Sequence, residues 1–230
     1  QANKKDEKTI LQLDLDTLVQ QEYPLDQIAI YGLSVNSSAI YAANNINGKS
    51  FISRIDRADK TVETAIYDDL YISIVYFYQD RLYAFSSQST SSGIKGALHC
   101  LDPITLEEVE RIDISEFGSD VYSVTGVGNI LYFAPSVNSQ DTFNQVVYAY
   151  NISTEEISAI KFPEDVFHIV NMDDKLYVTH GNLVTGEGTT LSVYTTDIGE
   201  INTYDLNMWP GQITIKDNAL YVMGADIVAK

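Results

Sequence analysis

The side chains of this chain that could do chemistry are carboxylates set at one kind of place. Asp26, Asp69, Asp120 and Asp165 each end a short polar connection that leads into an apolar, β-branched run. Carboxylates gathered at one mouth would create a strongly negative potential, and a hard cation such as Ca2+, which takes oxygen ligands, would suit it. The alternative is local, because Asp closes turns and a solvated acidic rim needs no ligand. His168 follows Asp165 inside such a run, where an imidazole is either a hydrogen-bonded core residue or a ligand. Trp209, the only tryptophan, precedes another run. It is either a stacking platform for a sugar ring or partner side chain, or a plug that seals the last repeat. Nucleophile motifs, glycine-rich phosphate loops and paired metal histidines are not found. The single cysteine, Cys100, excludes an internal disulfide and reads as a small buried hydrophobe.

These residues must be held by a repeat. The phrases Ala39-Ile40-Tyr41, Arg81-Leu82-Tyr83, Ile130-Leu131-Tyr132, Lys175-Leu176-Tyr177 and Ala219-Leu220-Tyr221 place tyrosines 42, 49, 45 and 44 residues apart. That period, in a chain with almost no helical patterning, predicts an all-β fold, a five-bladed β-propeller of four-stranded antiparallel blades. Within one repeat, 166–170, 175–179, 191–194 and 201–206 read as successive strands separated by turn residues. Third strands ending in Asp14, Asp56, Asp102 and Asn151 predict a repeated Asx-turn rather than metal ligands. The tyrosines are expected to fill the wedge between blades.

Blades are expected at about 27–68, 69–117, 118–163 and 164–209. A fifth, composite blade would join 9–26 to 210–230, so that N-terminal strands pair with C-terminal ones, close the ring and remove two raw sheet edges. Residues 1–8 read as a polar tether and 9–230 as a single propeller domain. Longer segments between second and third strands, 87–95, 135–144 and 180–189, share one face with the inter-blade connections. That face is where binding residues are expected.

An apolar-Tyr-apolar second strand and a third strand ending Asp-x-x-Thr resemble the YVTN and quinoprotein-type propeller repeats of bacteria. The resemblance covers nearly the whole chain and implies the fold. Those families commonly carry more blades than five, which leaves a fragment of a longer propeller as an alternative. The tryptophan often found in quinone-binding repeats is missing from the repeated positions.

Composition narrows the partners. With 14 Lys and Arg against 32 Asp and Glu, the formal charge is −18, which repels phosphate backbones and argues against nucleic acid. No apolar run approaches the roughly 20 residues that cross a bilayer. Sixteen tyrosines, scarce cysteine and high acidity resemble secreted or surface-anchored bacterial proteins. The expected function is a non-enzymatic propeller module, monomeric, outside the cell and held by a lipid anchor upstream. It would bind a protein or glycan through the long-loop face, with no cofactor other than Ca2+ at the channel mouth. The alternative is a glycoside hydrolase or metal-dependent lactonase using Asp69, Asp120 and Asp165. Inverting glycosidases need two carboxylates roughly 6.5–9.5 Å apart.

Overall fold

A computed structural model describes residues 8–136, 145–182 and 185–225. The chain divides into two compact units, Gln1–Glu116 and Phe117–Lys230. Strands and turns account for the described residues of both, with no helix.

In the first unit, β1 (Thr9–Leu13) and β2 (Gln20–Pro24) make a two-stranded sheet. Strands β3 (Ile30–Val35), β4 (Ala39–Ile46), β5 (Lys49–Asp56) and β6 (Val62–Asp68) follow in spatial order 3-4-5-6. A second four-stranded sheet is built the same way from β7 (Tyr71–Tyr78), β8 (Arg81–Thr90), β9 (Gly93–Leu101) and β10 (Glu108–Asp113). In the second unit, β11 (Asp120–Val127), β12 (Ile130–Ser136), β13 (Val146–Asn151) and β14 (Ile157–Lys161) form one sheet. Strands β15 (Val166–Met172), β16 (Lys175–His180), β17 (Thr190–Thr195) and β18 (Glu200–Asp205) form the next. The two-stranded sheet of β19 (Trp209–Lys216) and β20 (Ala219–Ala225) ends the unit. Every neighbouring pair is antiparallel. Sheets of four sequential antiparallel strands are consistent with propeller blades. The expected pairing of the N-terminal strands with the C-terminal ones is not among the strand pairings of the described residues.

The local chemistry is that of the sequence. Asp14 Oδ1 accepts from the Thr17 amide at 2.7 Å, Asp56 Oδ1 from Ala58 at 2.8 Å, Asp102 Oδ1 from Thr105 at 2.8 Å and Asn151 Oδ1 from Ser153 at 2.9 Å. Four residues after each of these sits a left-handed residue: Leu18, Lys60, Leu106 and Glu155, with φ near +60°. Backbone bonds, such as that from the Leu106 amide to the Asp102 carbonyl at 2.9 Å, close the turns. Tight turns between first and second strands use positive φ at both central residues, as at Gln79-Asp80, Asp173-Asp174 and Asp217-Asn218. This is the hairpin geometry whose twist matches the strands.

Each unit has its own apolar filling. In the first, Ala39, Tyr41, Ala43 and Ile52 of one sheet pack with Ile72, Val75, Leu82 and Ala84 of the next. The two-stranded sheet adds Ile10, Tyr23 and Leu25 against Ile40, Ala42 and Ile55. In the second, Tyr132, Ala134 and Val147 meet Val166, Ile169, Leu176 and Val178. The repeated tyrosines do the expected work where four-stranded sheets face each other. Tyr41 and Tyr132 are buried. The Tyr41 hydroxyl donates to the Pro103 carbonyl at 3.1 Å and Tyr132 to that of Thr196 at 3.0 Å, each reaching the turn between third and fourth strands of the following sheet. Tyr221 departs from the pattern and is 55% exposed, because β20 ends a sheet that has no third strand within its unit.

One loop expectation needs correcting. Residues 87–95 are not a loop but the extended tip of the β8–β9 hairpin, paired as far as Thr90 with Gly93. Thr90 Oγ1 donates to the Gly93 carbonyl at 2.7 Å, and Gly93 takes φ of +121°. Serine and threonine content suggested irregular backbone there, yet cross-strand pairing of Gln88, Ser89 and Thr90 with Lys95, Ile94 and Gly93 makes it regular. Most of the expected loop 135–144, and residues 1–7 of the tether, lie outside the described residues.

Candidate functional site

Every first strand carries a β-bulge that the sequence reading missed. The ladder shifts between Ile30 and Gly32, Ile72 and Ile74, Val121 and Ser123, Val166 and His168, and Pro210 and Ile213. A residue without a ladder partner lies ten positions before the repeated tyrosine in each case, at Tyr31, Ser73, Tyr122, Phe167 and Gly211, the last together with Gln212. Bulges re-aim side chains and are common beside binding sites. Here three of the five carry an aromatic ring, and each ring reaches the first residue of the first strand of the next sheet. Tyr31 meets Tyr71 edge-on with ring centroids 6.1 Å apart. The Tyr122 hydroxyl donates to the Val166 carbonyl at 2.7 Å. Phe167 meets Trp209 edge-on at 4.7 Å. The signal for this device, an aromatic at a fixed offset from Tyr41, Tyr132 and Tyr177, was present in the sequence.

The three contacts differ in access. In the second unit they are closed. Burial raises the Tyr122 phenol well above its ordinary pKa, with the Asp165 carboxylate adding to the effect. Trp209 lies so close to the backbone that a Cβ on Gly181 would stand 3.0 Å from its Nε1. In the first unit the rings are open. Tyr31 is 58% and Tyr71 43% exposed. They line a cavity of about 590 Å³, together with Asn47, Lys49, Asp69 and Gln88.

The walls of this cavity are fixed by hydrogen bonds. Asn45 Nδ2 donates to the Ile72 carbonyl at 2.9 Å, and the Ile72 amide donates back to Asn45 Oδ1 at 3.1 Å. The Ser50 hydroxyl donates to the Leu70 carbonyl at 2.6 Å. These bonds hold the connection 69–71 against the β4–β5 hairpin, so Tyr71 stands on a rigid base. Lys49 pairs with Asp68 at 2.8 Å on the rim, both groups well exposed. The pair raises the lysine pKa through the Asp68 carboxylate, and at that exposure it contributes little to stability.

The residues singled out in the sequence are distributed as follows. Asp26 is an exposed bend residue after β2. Asp69 is on an exposed turn, at φ of +59°, and lines the open cavity. Asp120 starts β11, with Oδ1 buried and without a hydrogen-bond partner. Asp165 Oδ2 accepts from Asn182 at 2.8 Å and lines a smaller cavity of about 240 Å³ with Glu164 and Glu187. No group of three His, Cys, Asp or Glu residues able to hold a metal forms among the described residues. His168 stands on β15 with Nδ1 buried and unpartnered, and burial pushes its pKa down to about 4. Trp209 is half-buried and packs edge-on against Phe167.

The structure also aligns a serine, a histidine and a glutamate that sequence spacing did not bring to notice. The Ser86 hydroxyl is 2.7 Å from His99 Nε2, and His99 Nδ1 bonds to Glu108 Oε2. In outline this is the geometry of a nucleophile, a base and its orienting carboxylate. Its setting is different. Ser86 and His99 are each 1% exposed, on β8 and β9 inside the blade, and line none of the cavities described above. The same blade position elsewhere carries hydroxyl pairs, Ser53 with Thr64 at 2.9 Å and Ser192 with Thr203 at 2.8 Å. The line is a variant of a repeated polar tie between strands. A fluorophosphonate probe is therefore expected to leave folded protein unlabelled at Ser86. Labelling of native protein, lost in Ser86→Ala, would make the triad catalytic.

No protein-family model matches the chain, and no curated protein matches it. Solved structures do. A protein of unknown function from Bacteroides caccae matches with a TM-score of 0.64 at 10% identity, over 97% of this chain and 81% of that one. Hydrazine synthase from Kuenenia stuttgartiensis matches at 0.68 and 15%, over 94% and 67%. A luciferin-regenerating enzyme matches at 0.55 and 12%, over 95% and 77%. At these identities the likeness shows the fold alone.

Proposed function

We propose that the chain is a non-enzymatic ligand-binding module built as a five-bladed propeller, its ring completed by the sheets of β1–β2 and β19–β20. The observation that carries this reading is the open cavity of about 590 Å³ lined in part by Tyr31 and Tyr71. Its size falls within the roughly 300–1,000 Å³ of small-ligand sites. It lies where the β4–β5 hairpin meets the connection 69–71, the kind of face on which a rigid scaffold presents variable contacts. The hydrolase alternative draws on Asp69, Asp120 and Asp165, of which Asp165 is already committed to Asn182. Composition supports placement outside a bacterial cell, through its acidity and its 16 tyrosines.

The experiment is a thermal-shift screen of a small-molecule library against the wild type and Ser89→Trp, which plugs the cavity from an exposed wall position. Ligands that bind the folded state raise its melting temperature by mass action. Hits are expected to stabilise the wild type and lose their effect on the plugged variant. Hits that stabilise both equally would place binding elsewhere.

A further inference from the structure

Resting on that reading, we infer that the Tyr31–Tyr71 cavity takes a neutral sugar, a pyranose unit of an uncharged oligosaccharide. A pyranose presents C–H groups on its faces and hydroxyls around its edge. A fitting site therefore needs exposed aromatic surface next to planar polar groups that both donate and accept. Tyr31 and Tyr71 supply two rings inclined at 62°, each exposed by about half. Around them, Asn47, Asp69 and Gln88 line the cavity, and no hydrogen bond to another described residue occupies their side chains. An amide offers both donor and acceptor, and a carboxylate takes two vicinal hydroxyls.

Charge selects the class of sugar. Lys49 and Asp69 line the cavity and Asp68 pairs with Lys49 at 2.8 Å on its rim, so the three groups together carry one negative charge. The chain as a whole carries −18. Sialylated, sulfated or phosphorylated glycans meet repulsion there, whereas neutral ones do not. The rigidity of the walls fits this use, since a site that is already formed avoids an ordering cost on binding. An aromatic-tipped peptide would also lie on the rings, but it would leave the ring of amide and carboxylate groups unmatched, and each unmatched polar group costs binding free energy.

The test has two arms, both on the folded full chain. Neutral and acidic oligosaccharides are displayed on an array, with affinities of the hits measured by calorimetry, and a random peptide phage library is panned in parallel. Each arm uses the wild type, Tyr71→Ala, the Tyr31→Ala/Tyr71→Ala double variant and Tyr204→Ala as a control at an exposed tyrosine of the second unit. Thermal unfolding checks that all variants fold. Neutral sugars are expected to bind the wild type and the control, about tenfold more weakly to Tyr71→Ala, and not measurably to the double variant. Acidic sugars are expected to be rejected. Neutral sugars that fail to bind, or that bind the double variant undiminished, overturn the inference. Peptides whose capture depends on the two tyrosines would overturn the sugar while keeping the site. No tyrosine-dependent ligand in either arm would overturn the binding site as well.

Discussion

Replacing Tyr132 by alanine is expected to cost about 3–5 kcal/mol of stability, the range for emptying a large aromatic from a packed core. Tyr132 is 3% exposed, packs with Val166, Ile169 and Leu176, and donates its hydroxyl to the Thr196 carbonyl at 3.0 Å. It thus joins two adjacent sheets by both apolar area and a hydrogen bond. Tyr132→Phe keeps the area and is expected to lose about 1 kcal/mol, the net value of one such bond. Tyr204→Ala removes a tyrosine of β18 that is 49% exposed, so a change within about 0.5 kcal/mol is expected. Urea denaturation of the three variants checks the series. Equal losses at Tyr132 and Tyr204 would mean that Tyr132 is not wedged between sheets in solution.

Acid is expected to weaken the fold before its carboxylates titrate. All three histidines, His99, His168 and His180, have pKa values held below the ordinary one by burial. At His99 the Glu108 carboxylate opposes the shift without cancelling it. A histidine that is harder to protonate when folded binds more proton when unfolded. Its contribution is therefore complete above about pH 6.5 and is lost as the pH falls toward the folded value. For His168, held at about 4, the loss by that pH is about 3 kcal/mol. The lowered carboxylates of Asp113 and the turn residues Asp14 and Asp102 act in the same direction but lower, below about pH 4. Urea midpoints should fall between pH 6.5 and 4 in the wild type. The slope should flatten in His168→Phe, which fills the site without a titrating ring. An unchanged slope in that variant would mean that His168 is hydrated in solution.

Much of the fold was legible because each blade repeats a few strong local rules. The turn aspartates, the positive-φ hairpins and the apolar-Tyr second strands each specify structure within a few residues, and strand positions followed from them. Failures arose where long-range pairing decided the outcome. Residues 87–95 look like a loop by composition, and only the cross-strand partners of Ser87 to Thr90 make them a hairpin. The bulges are invisible to a period-two pattern, since one extra residue shifts the alternation without changing the residue types. The Ser86–His99–Glu108 line escaped notice for a related reason: its members sit on three successive strands, and their meeting depends on register. Of the candidate site, Asp69 was singled out in the sequence as a channel-mouth carboxylate and lines the open cavity, while Tyr31 and Tyr71 were missed. Trp209, the more conspicuous aromatic, packs against Phe167 and Gly181.

The most direct measurement is an amide chemical-shift map of labelled protein saturated with a neutral disaccharide. The account predicts perturbations confined to Tyr31, 45–49, 69–71 and 87–89, with Tyr31 and Tyr71 among the largest. Shifts centred instead on Asp165, Gly181 and Asn182, or no shifts at saturating sugar, would contradict it.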